Sequence, residues 1–404
     1  MSFPKIITFG CRLNACESDL IKDFMEELGI KDFILINTCA VTAEAERKLR
    51  QTIRRLYNED REVKIILTGC ASELNPDFYL KMNGIVGIIS NKTKLSKLEY
   101  SKYATNESLR RNTPSQKIRG FLRIQNGCDH KCTYCVVRLT RGNNVSFHED
   151  EIVNQAKLLL RKGYKEIVLT GVNVSSYGQD IDSSKNLAFI IRYLLKEVPE
   201  ITRLRLSSLD PADINVDLKK VITSEEKLMP HFHESIQSGD DIILKRMMRR
   251  HSSQQVIETN QEILQGRPDI ILGADIIVGF PTETDQMFFN TKKLLSNANI
   301  TLLHVFPFSP RAGTSAALMP AVERKVILSR SKELKGTATD ILSKKLHEFV
   351  GKNLPAIAET QYRARTNSFL SIKSAAKLII GNEYLFQCNS IDKTTIIGQP
   401  INEA

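Results

Sequence analysis

Three cysteines lie within eight residues in the segment RIQNGCDHKCTYCVVRLTRG, residues 123–142. They are Cys128, Cys132 and Cys135, which gives a C-x3-C-x2-C spacing. A loop that brings three thiols together over so short a stretch turns tightly, and Gly127 and Asp129 suit such a turn. The spacing indicates a metal centre, because thiolates are the ligands of iron–sulfur clusters and of many zinc sites.

The fourth ligand of this centre is an open question in the sequence. Cubane clusters and zinc sites usually take four protein ligands, and no second pair of cysteines follows the loop. His130, inside the loop, is one candidate for the fourth position. In the other interpretation, three thiolates hold a four-iron cluster and leave one iron open. An open coordination position marks a reactive site rather than a structural one.

The length and composition of the chain limit the classes of protein to which it can belong. The 404 residues are enough for two or three domains, and 42% hydrophobic with 25% charged residues is typical of a globular chain. No run approaches the ~20 apolar residues of a membrane span. The N-terminus, MSFPKIITFGC, lacks the pattern of a signal peptide. We therefore expect a cytoplasmic protein, in which reduced thiols are available for metal.

The formal net charge of +11 is evidence about the binding partners of the protein and not about its fold. A protein this basic often binds nucleic acid, although a basic enzyme without a nucleic-acid partner is equally consistent with the charge. Two basic runs stand out, RKLRQTIRR at residues 47–55 and LKRMMRRH at residues 244–251. Each is either a set of phosphate contacts or a solvated helix face.

Apolar runs alternate with helical patterns through the middle of the chain, which is typical of βα units around a parallel sheet. The expected strands are FLRIQNG, EIVLTGVNV, ITRLRLSSLDP, HFHESIQSG, ILGADIIVGFP and LLHVFPFSP. Six such units are enough for an open partial (β/α)6 barrel, in which ligands bind at the carboxyl ends of the strands.

Polar residues and glycines stand at these strand ends, at Thr170, Gly171, Asn173, Ser207, Ser208, Gln237, Ser238, Gly239 and Gly279. Each of them alone is an ordinary turn residue. Together at one edge of a sheet, they indicate the rim of a binding site.

Three further cysteines end three apolar runs in the N-terminal third. KIITFGC, FILINTC and KIILTGC end in Cys11, Cys39 and Cys70. A helical or turn pattern follows each run, which predicts a small α/β sandwich with parallel strands. Strand ends on one edge of such a sheet lie close together, so the thiols are expected to converge on a second three-thiolate cluster with an open iron. Cys16 and Cys388 share none of this context and are expected to be structural.

The C-x3-C-x2-C loop, with Tyr134 before its last cysteine, resembles the signature of the radical S-adenosylmethionine superfamily. The resemblance implies that the open iron binds S-adenosyl-L-methionine, and that electron transfer from the cluster yields methionine and a 5′-deoxyadenosyl radical. In that superfamily, strand-end residues contact the cofactor. We expect Ser207, Gln237 and Asp275 to be among them.

Two three-cysteine sites in this order resemble the methylthiotransferase family of that superfamily. The matching segments, over residues 5–320, are TFGCRLNACES, INTCAVTAEAERKLRQTIRR, LTGCAS, IQNGCDHKCTYCVVRLTRG, LTGVNVSSYG, LRLSSLDP and ADIIVGFPTET. The resemblance implies two 4Fe-4S clusters, one on each cysteine triad, together with S-adenosylmethionine. It also implies an electron donor such as flavodoxin or ferredoxin.

The family divides by substrate. Its members modify threonylcarbamoyladenosine or isopentenyladenosine in tRNA, or an aspartate of a ribosomal protein. TFGCRLNACES and IQNGC resemble the threonylcarbamoyladenosine branch, which inserts the methylthio group at C2 of the modified adenosine 3′ of the anticodon. The partner is then a tRNA anticodon loop, in agreement with the basic charge. A non-catalytic iron–sulfur RNA-binding protein is the alternative outside the enzymes.

Family members also carry a small C-terminal RNA-binding β-barrel of the TRAM type. FVGKNLPAIAETQ, FLSIKS, EYLFQC and KTTIIGQPI predict short strands with glycine or polar turns in that region. Residues 101–117 predict a polar connector and residues 321–348 a basic helix. The expected domains cover residues 1–105, 115–340 and 345–404.

Overall fold

The computed structural model of the chain describes residues 5–104, 117–182 and 184–403. The connector expected over residues 101–117 therefore lies largely outside the described residues. Among the helices of the described ranges, none is both long and apolar enough for a bilayer crossing.

The N-terminal part is a parallel sheet with helices on both faces, as predicted. Its strands, in the order β1-β2-β3-β4, are β1 (Lys5–Thr8), β2 (Phe33–Thr38), β3 (Lys64–Gly69) and β4 (Ile85–Ile89). Its helices are α1 (Arg12–Glu27), α2 (Ala43–Glu59), α3 (Cys70–Leu74), α4 (Pro76–Leu80) and α5 (Leu98–Ser101). The edge strand β4 was not predicted.

Successive residues of the inner strands bury opposite faces of this sheet. Leu35 of β2 packs in one cluster with Ile21 of α1, and its neighbour Ile36 packs in another with Ile53 of α2. This explains why the strands are continuous apolar runs, because helices cover both faces of the sheet. Thr42 is the N-cap of α2, since its side chain accepts a hydrogen bond from the backbone N–H of Ala45 (3.1 Å).

The central part contains the six parallel strands of a partial barrel, as predicted. They are β5 (Arg119–Arg123), β8 (Glu166–Thr170), β9 (Leu204–Leu206), β10 (His231–Gln237), β11 (Ile271–Val278) and β12 (Leu302–Pro307). They pair as β5-β8-β9 and β10-β11-β12, and the bridges Leu204–Leu228 and Leu209–Glu234 join the two halves. A short ribbon follows β5 and consists of β6 (Gln125–Asn126) and β7 (Val145–Ser146).

Helices surround this barrel. They are α6 (Val137–Arg141), α7 (Glu149–Arg161), α8 (Leu187–Glu197), α9 (Val216–Ser224), α10 (Asp241–Arg246), α11 (Ser253–Gly266) and α12 (Asp285–Asn297). Short 3-10 turns lie at Val174–Ser176, Pro211–Asp213 and Ser315–Leu318.

A long helix, α13 (Arg324–His347), leads to a closed β-barrel at the C-terminus. Its strands, in the order β13-β14-β15-β17-β16, are β13 (Asn353–Thr360), β14 (Arg363–Thr366), β15 (Ser371–Ser374), β16 (Glu383–Asp392) and β17 (Thr395–Glu403). Strand β14 was not predicted, because its sequence RART has a single apolar residue. Cys388 is fully buried in this barrel's core, as expected.

A buried carboxylate joins the C-terminal barrel to the central one. Glu166, at the start of β8, accepts hydrogen bonds from Arg205 (2.8 and 3.0 Å), Arg203 (3.2 Å) and Arg119 (2.5 Å). Arg119 also contacts Glu359 of β13 at 2.5 Å. Burial disfavours the Glu166 carboxylate, but the three arginines outweigh burial and lower its pKa to about 2.

Glu166→Gln should destabilise the protein by about 3–5 kcal/mol, because it leaves buried arginines without their anion. Thermal unfolding followed by circular dichroism measures this loss. Glu44→Gln is the matched control, since Glu44 pairs with Arg47 on the exposed face of α2 (2.6 Å). Equal melting temperatures for both variants would contradict the structural role of Glu166.

Candidate functional site

The three N-terminal cysteines meet at one edge of the parallel sheet. Cys11 precedes α1, Cys39 follows β2, and Cys70 begins α3 directly after β3. Because β1, β2 and β3 are neighbours in register, these positions lie side by side. Burial raises the pKa of Cys39, and with smaller contributions from the charges of Cys11 and Cys70 the value is about 11. The three thiols therefore lie close enough to influence one another electrostatically.

Close packing at this edge requires glycine. Gly10 has a φ of +100°, and a Cβ on it would lie 2.8 Å from the Cβ and 2.9 Å from the Sγ of Cys39. Asn14 ties the two turns together, since its Nδ2 donates to the backbone oxygens of Phe9 (2.8 Å) and Thr38 (3.0 Å). The turns that carry Cys11 and Cys39 are thus fixed relative to each other.

The C-x3-C-x2-C loop follows the first strand of the barrel. Gly127 has a φ of +70°, and a Cβ on it would lie 1.7 Å from the backbone oxygen of Asn143. The backbone N–H of Cys128 donates to Gly142 O (3.1 Å), and that of Cys135 donates to Cys132 O (3.1 Å). These contacts make the tight turn that the spacing predicted.

A buried glutamine fastens this loop to the rim of the barrel. Gln125 donates from Nε2 to Gly127 O (2.6 Å), and its Oε1 accepts from the backbone N–H groups of Val172 (3.0 Å) and Asn173 (2.9 Å). No local sequence pattern indicates this role, because the rim residues Val172 and Asn173 lie 47 and 48 residues further along the chain.

The loop histidine faces a carboxylate. His130 Nδ1 lies 3.3 Å from Asp210 Oδ2, and Arg249 lies 3.1 Å from the other oxygen of Asp210. Arg249 also places Nη1 3.8 Å from Cys132 Sγ. These contacts favour a donor set of three thiols over a set that includes His130.

The two basic runs differ in their surroundings. In the second run, Arg249 supports the cysteine loop and Arg250 pairs with Asp213 (2.7 Å). The first run lies on α2, where Arg47 and Arg55 are exposed. Arg250 in the second run is exposed as well, so both runs remain candidates for phosphate contacts.

A buried ion-pair network connects the two cysteine sites. Arg141, at the end of the helix after Cys135, pairs with Glu17 of α1 (2.8 Å). Lys94 pairs with the same carboxylate (2.5 Å). Burial opposes ionisation, but both cations outweigh it and lower the pKa of Glu17 to about 2. Two cations on one carboxylate leave a surplus positive charge. Burial lowers the pKa of Arg141, but Glu17 outweighs burial and raises it, and the charges of Cys70 and Cys11 raise it as well.

A cavity of about 830 Å³ opens beside the N-terminal cysteine site, and its lining includes Gly10 and Cys11. The predicted rim residues that line it are Thr170, Gly171, Ser207 and Ser208. Asp275 of β11, predicted as a contact of the cofactor, lines it as well. Of the residues that the structure describes, Asn173, Gln237, Ser238, Gly239 and Gly279 are not part of this lining.

Asp275 is firmly held in this cavity. Its carboxylate lies 3.0 Å from His233 Nε2, 3.2 Å from His304 Nδ1 and 3.2 Å from Ser208 Oγ. Burial opposes ionisation, but the two histidines hold the pKa of Asp275 well below its usual range. Gln237 ends β10 with a φ of +75°.

The donor sets fit iron–sulfur chemistry. Each site offers three thiols, a glycine whose added Cβ would clash at the turn, and a nearby arginine that favours negative charge. A partial barrel of six parallel strands, with a C-x3-C-x2-C loop after its first strand, defines a radical S-adenosylmethionine protein.

Comparisons with known proteins agree with this class. The family model of the radical SAM superfamily matches residues 122–295, and that of the uncharacterized protein family UPF0004 matches residues 4–90. A solved structure of the radical S-adenosylmethionine methyltransferase TsrM from Kitasatospora setae has a TM-score of 0.53 at 12% identity. It covers 76% of this chain and 67% of that one, and this likeness concerns the fold alone.

Two relatives match along nearly the full chain. The threonylcarbamoyladenosine tRNA methylthiotransferase of Rickettsia prowazekii is 41% identical, over 96% of this chain and 95% of that protein. The tRNA-2-methylthio-N(6)-dimethylallyladenosine synthase of Endomicrobium trichonymphae is 31% identical, over 88% of each. The chain belongs to the methylthiotransferase family of radical S-adenosylmethionine enzymes. It is therefore an enzyme that uses S-adenosylmethionine and a 4Fe-4S cluster.

Gly127→Ala should abolish cleavage of S-adenosylmethionine, because the added Cβ collides with the Asn143 backbone and the cysteine loop cannot close. Formation of 5′-deoxyadenosine by the anaerobically reconstituted enzyme measures this loss. Gly142→Ala is the matched control. It lies in the same segment with a φ of +77°, yet a Cβ there meets nothing within 4 Å. Equal activity of the two variants would contradict the role of this turn.

Proposed function

We propose that this protein is a tRNA methylthiotransferase that replaces the hydrogen at C2 of threonylcarbamoyladenosine, 3′ of the anticodon, with a methylthio group. The observation that carries the proposal is the 41% identity to the Rickettsia protein of that activity. This identity extends over 96% of the chain and 95% of the relative.

We assign the radical-forming cluster to Cys128, Cys132 and Cys135. When bound there, a 4Fe-4S cluster supplies the electron that cleaves S-adenosylmethionine to methionine and a 5′-deoxyadenosyl radical. The chain's part is to hold the loop in place, through Gln125 at the barrel rim and Arg249 beside Cys132.

We assign a second 4Fe-4S cluster to Cys11, Cys39 and Cys70. When bound there, it supplies an open iron at which the sulfur to be transferred is held. Two observations support this assignment: the thiols converge, and Cys11 lines the cavity. A substrate in that cavity contacts the sulfur site directly.

The cavity suits a nucleoside beside the cofactor. Its volume of about 830 Å³ lies toward the upper end of the range of roughly 300–1,000 Å³ for ligand pockets. We propose that Ser207, Gln237 and Asp275 contact S-adenosylmethionine. Ser207 and Asp275 line the cavity, and Gln237 ends a strand at the rim.

The macromolecular partner in this proposal is the anticodon loop of a tRNA. Single-stranded loops let a base be splayed into a protein pocket. The net charge of +11 supports phosphate binding. The C-terminal barrel exposes cations to the solvent, at Lys352, Arg363, Lys373, Lys377 and Lys393. We place the reaction in the cytoplasm, with flavodoxin or ferredoxin as the electron donor.

Cysteine substitutions separate the two proposed clusters. Cys132→Ala should abolish cleavage of S-adenosylmethionine, because the radical-forming cluster loses a ligand. Cys39→Ala should retain cleavage but stop methylthiolation, because the sulfur site is lost. Chromatography with mass spectrometry measures 5′-deoxyadenosine and the methylthio nucleoside, with an anticodon stem-loop that carries threonylcarbamoyladenosine as substrate.

Cys388→Ala is the control, since this thiol is buried in the C-terminal barrel and both products should persist. Methylthio product from Cys39→Ala would disprove the division of labour. A wild-type enzyme that converts only an RNA with dimethylallyladenosine would disprove the substrate.

A further inference from the structure

Arg12 is a cation without a partner in the substrate cavity. It is the first residue of α1, directly after Cys11, and it lines the cavity. Within the part of the chain that the structure describes, no acceptor pairs with its guanidinium group. Arg365 lines the same cavity but pairs with Glu359 (3.1 Å). Arg12 therefore differs from the other cavity arginine in lacking an anion.

The electrostatic potential around Arg12 is positive, because the nearby cations are not fully balanced by free carboxylates. Burial lowers the pKa of Arg12, and Arg205 and Arg119 lower it further. The nearby carboxylates are already engaged, since Glu166 serves three arginines and Asp275 is held by two histidines and Ser208. A partly buried cation in such a place is stabilised by an anion that enters the cavity.

We propose that Arg12 binds the carboxylate of the threonylcarbamoyl group and so selects this substrate over adenosines with an apolar N6 substituent. This inference rests on the proposed function. The threonine carboxylate is ionised at neutral pH, whereas a dimethylallyl group carries no charge. A guanidinium group binds a carboxylate through two parallel hydrogen bonds, which fixes orientation as well as affinity.

The position of Arg12 also orients the reacting carbon. N6 and C2 of adenine both lie on the Watson–Crick edge, on either side of N1. An anchor for the N6 substituent next to Cys11 therefore holds C2 close to the proposed sulfur site. Correct orientation of this kind accounts for much of the rate of a positioned reaction.

The test compares two RNA ligands on one protein. Fluorescence anisotropy measures the anaerobic binding of anticodon stem-loops that carry threonylcarbamoyladenosine or its neutral methyl ester. Wild type should prefer the acid by about 10- to 100-fold, the magnitude of a charge-assisted hydrogen bond. Arg12→Gln should bind both RNAs equally, and Arg12→Lys should keep part of the preference. The ratio of the two affinities, taken within one preparation, does not depend on how much cluster is bound.

Lys335→Gln is the charge-matched control, because Lys335 lines the same cavity from an exposed position. If Lys335 only attracts RNA in general, Lys335→Gln should weaken the binding of the acid RNA and of the ester RNA equally. The ratio of the two affinities should then stay as in wild type. An acid-to-ester ratio that survives in Arg12→Gln would overturn the proposal. Loss of RNA-free cleavage of S-adenosylmethionine in Arg12→Gln, with that ratio intact, would assign Arg12 to the cofactor and also overturn it. Wild-type conversion of the acid RNA with no preference over the ester would refute this inference while the proposed function stands.

Discussion

Glu17 accepts hydrogen bonds from two buried cations, Arg141 and Lys94, and this contact holds the two cysteine sites in one arrangement. Glu17 lies six residues after Cys11, and Arg141 lies six residues after Cys135. The network therefore couples the start of α1 to the loop of the barrel. Loss of one member leaves buried charge uncompensated, which is costly. In the proposed reaction, sulfur transfer to a carbon radical needs both sites within reach of one substrate atom, so the proposal depends on this placement.

Residues of the C-terminal barrel also line the cavity beside Cys11. Phe369 stacks on His231 with ring centroids 4.8 Å apart, and the guanidinium groups of Arg205 and Arg365 lie 4.9 Å from its ring. Phe369 and Arg365 both line the cavity. The C-terminal barrel therefore forms part of the wall of the proposed substrate site, in addition to its proposed role in RNA binding.

The placement of the six cysteines in the fold could be predicted from the sequence because it follows from loop spacing and from the ends of strands. Three thiols in one loop, and three at the ends of adjacent parallel strands, each follow from spacing and strand pattern. The supporting residues could not be predicted in this way. Arg141 reaches Glu17 across 124 residues of chain and Asn14 across 127, and no local pattern marks such a contact. Strands β4 and β14 were missed because a five-residue edge strand and the segment RART carry weak periodic signals. The charge of Arg12 is plain in the sequence, but its lack of a partner is a property of the folded cavity.

The most direct test of the proposed function is nucleoside mass spectrometry of bulk tRNA from cells with and without this gene. We predict that 2-methylthio-threonylcarbamoyladenosine disappears without the gene, that threonylcarbamoyladenosine rises, and that the gene in trans restores the methylthio nucleoside. Unchanged tRNA nucleosides would contradict the central claim. Loss of the methylthio group from dimethylallyladenosine alone would leave the chemistry intact but contradict the assignment of substrate.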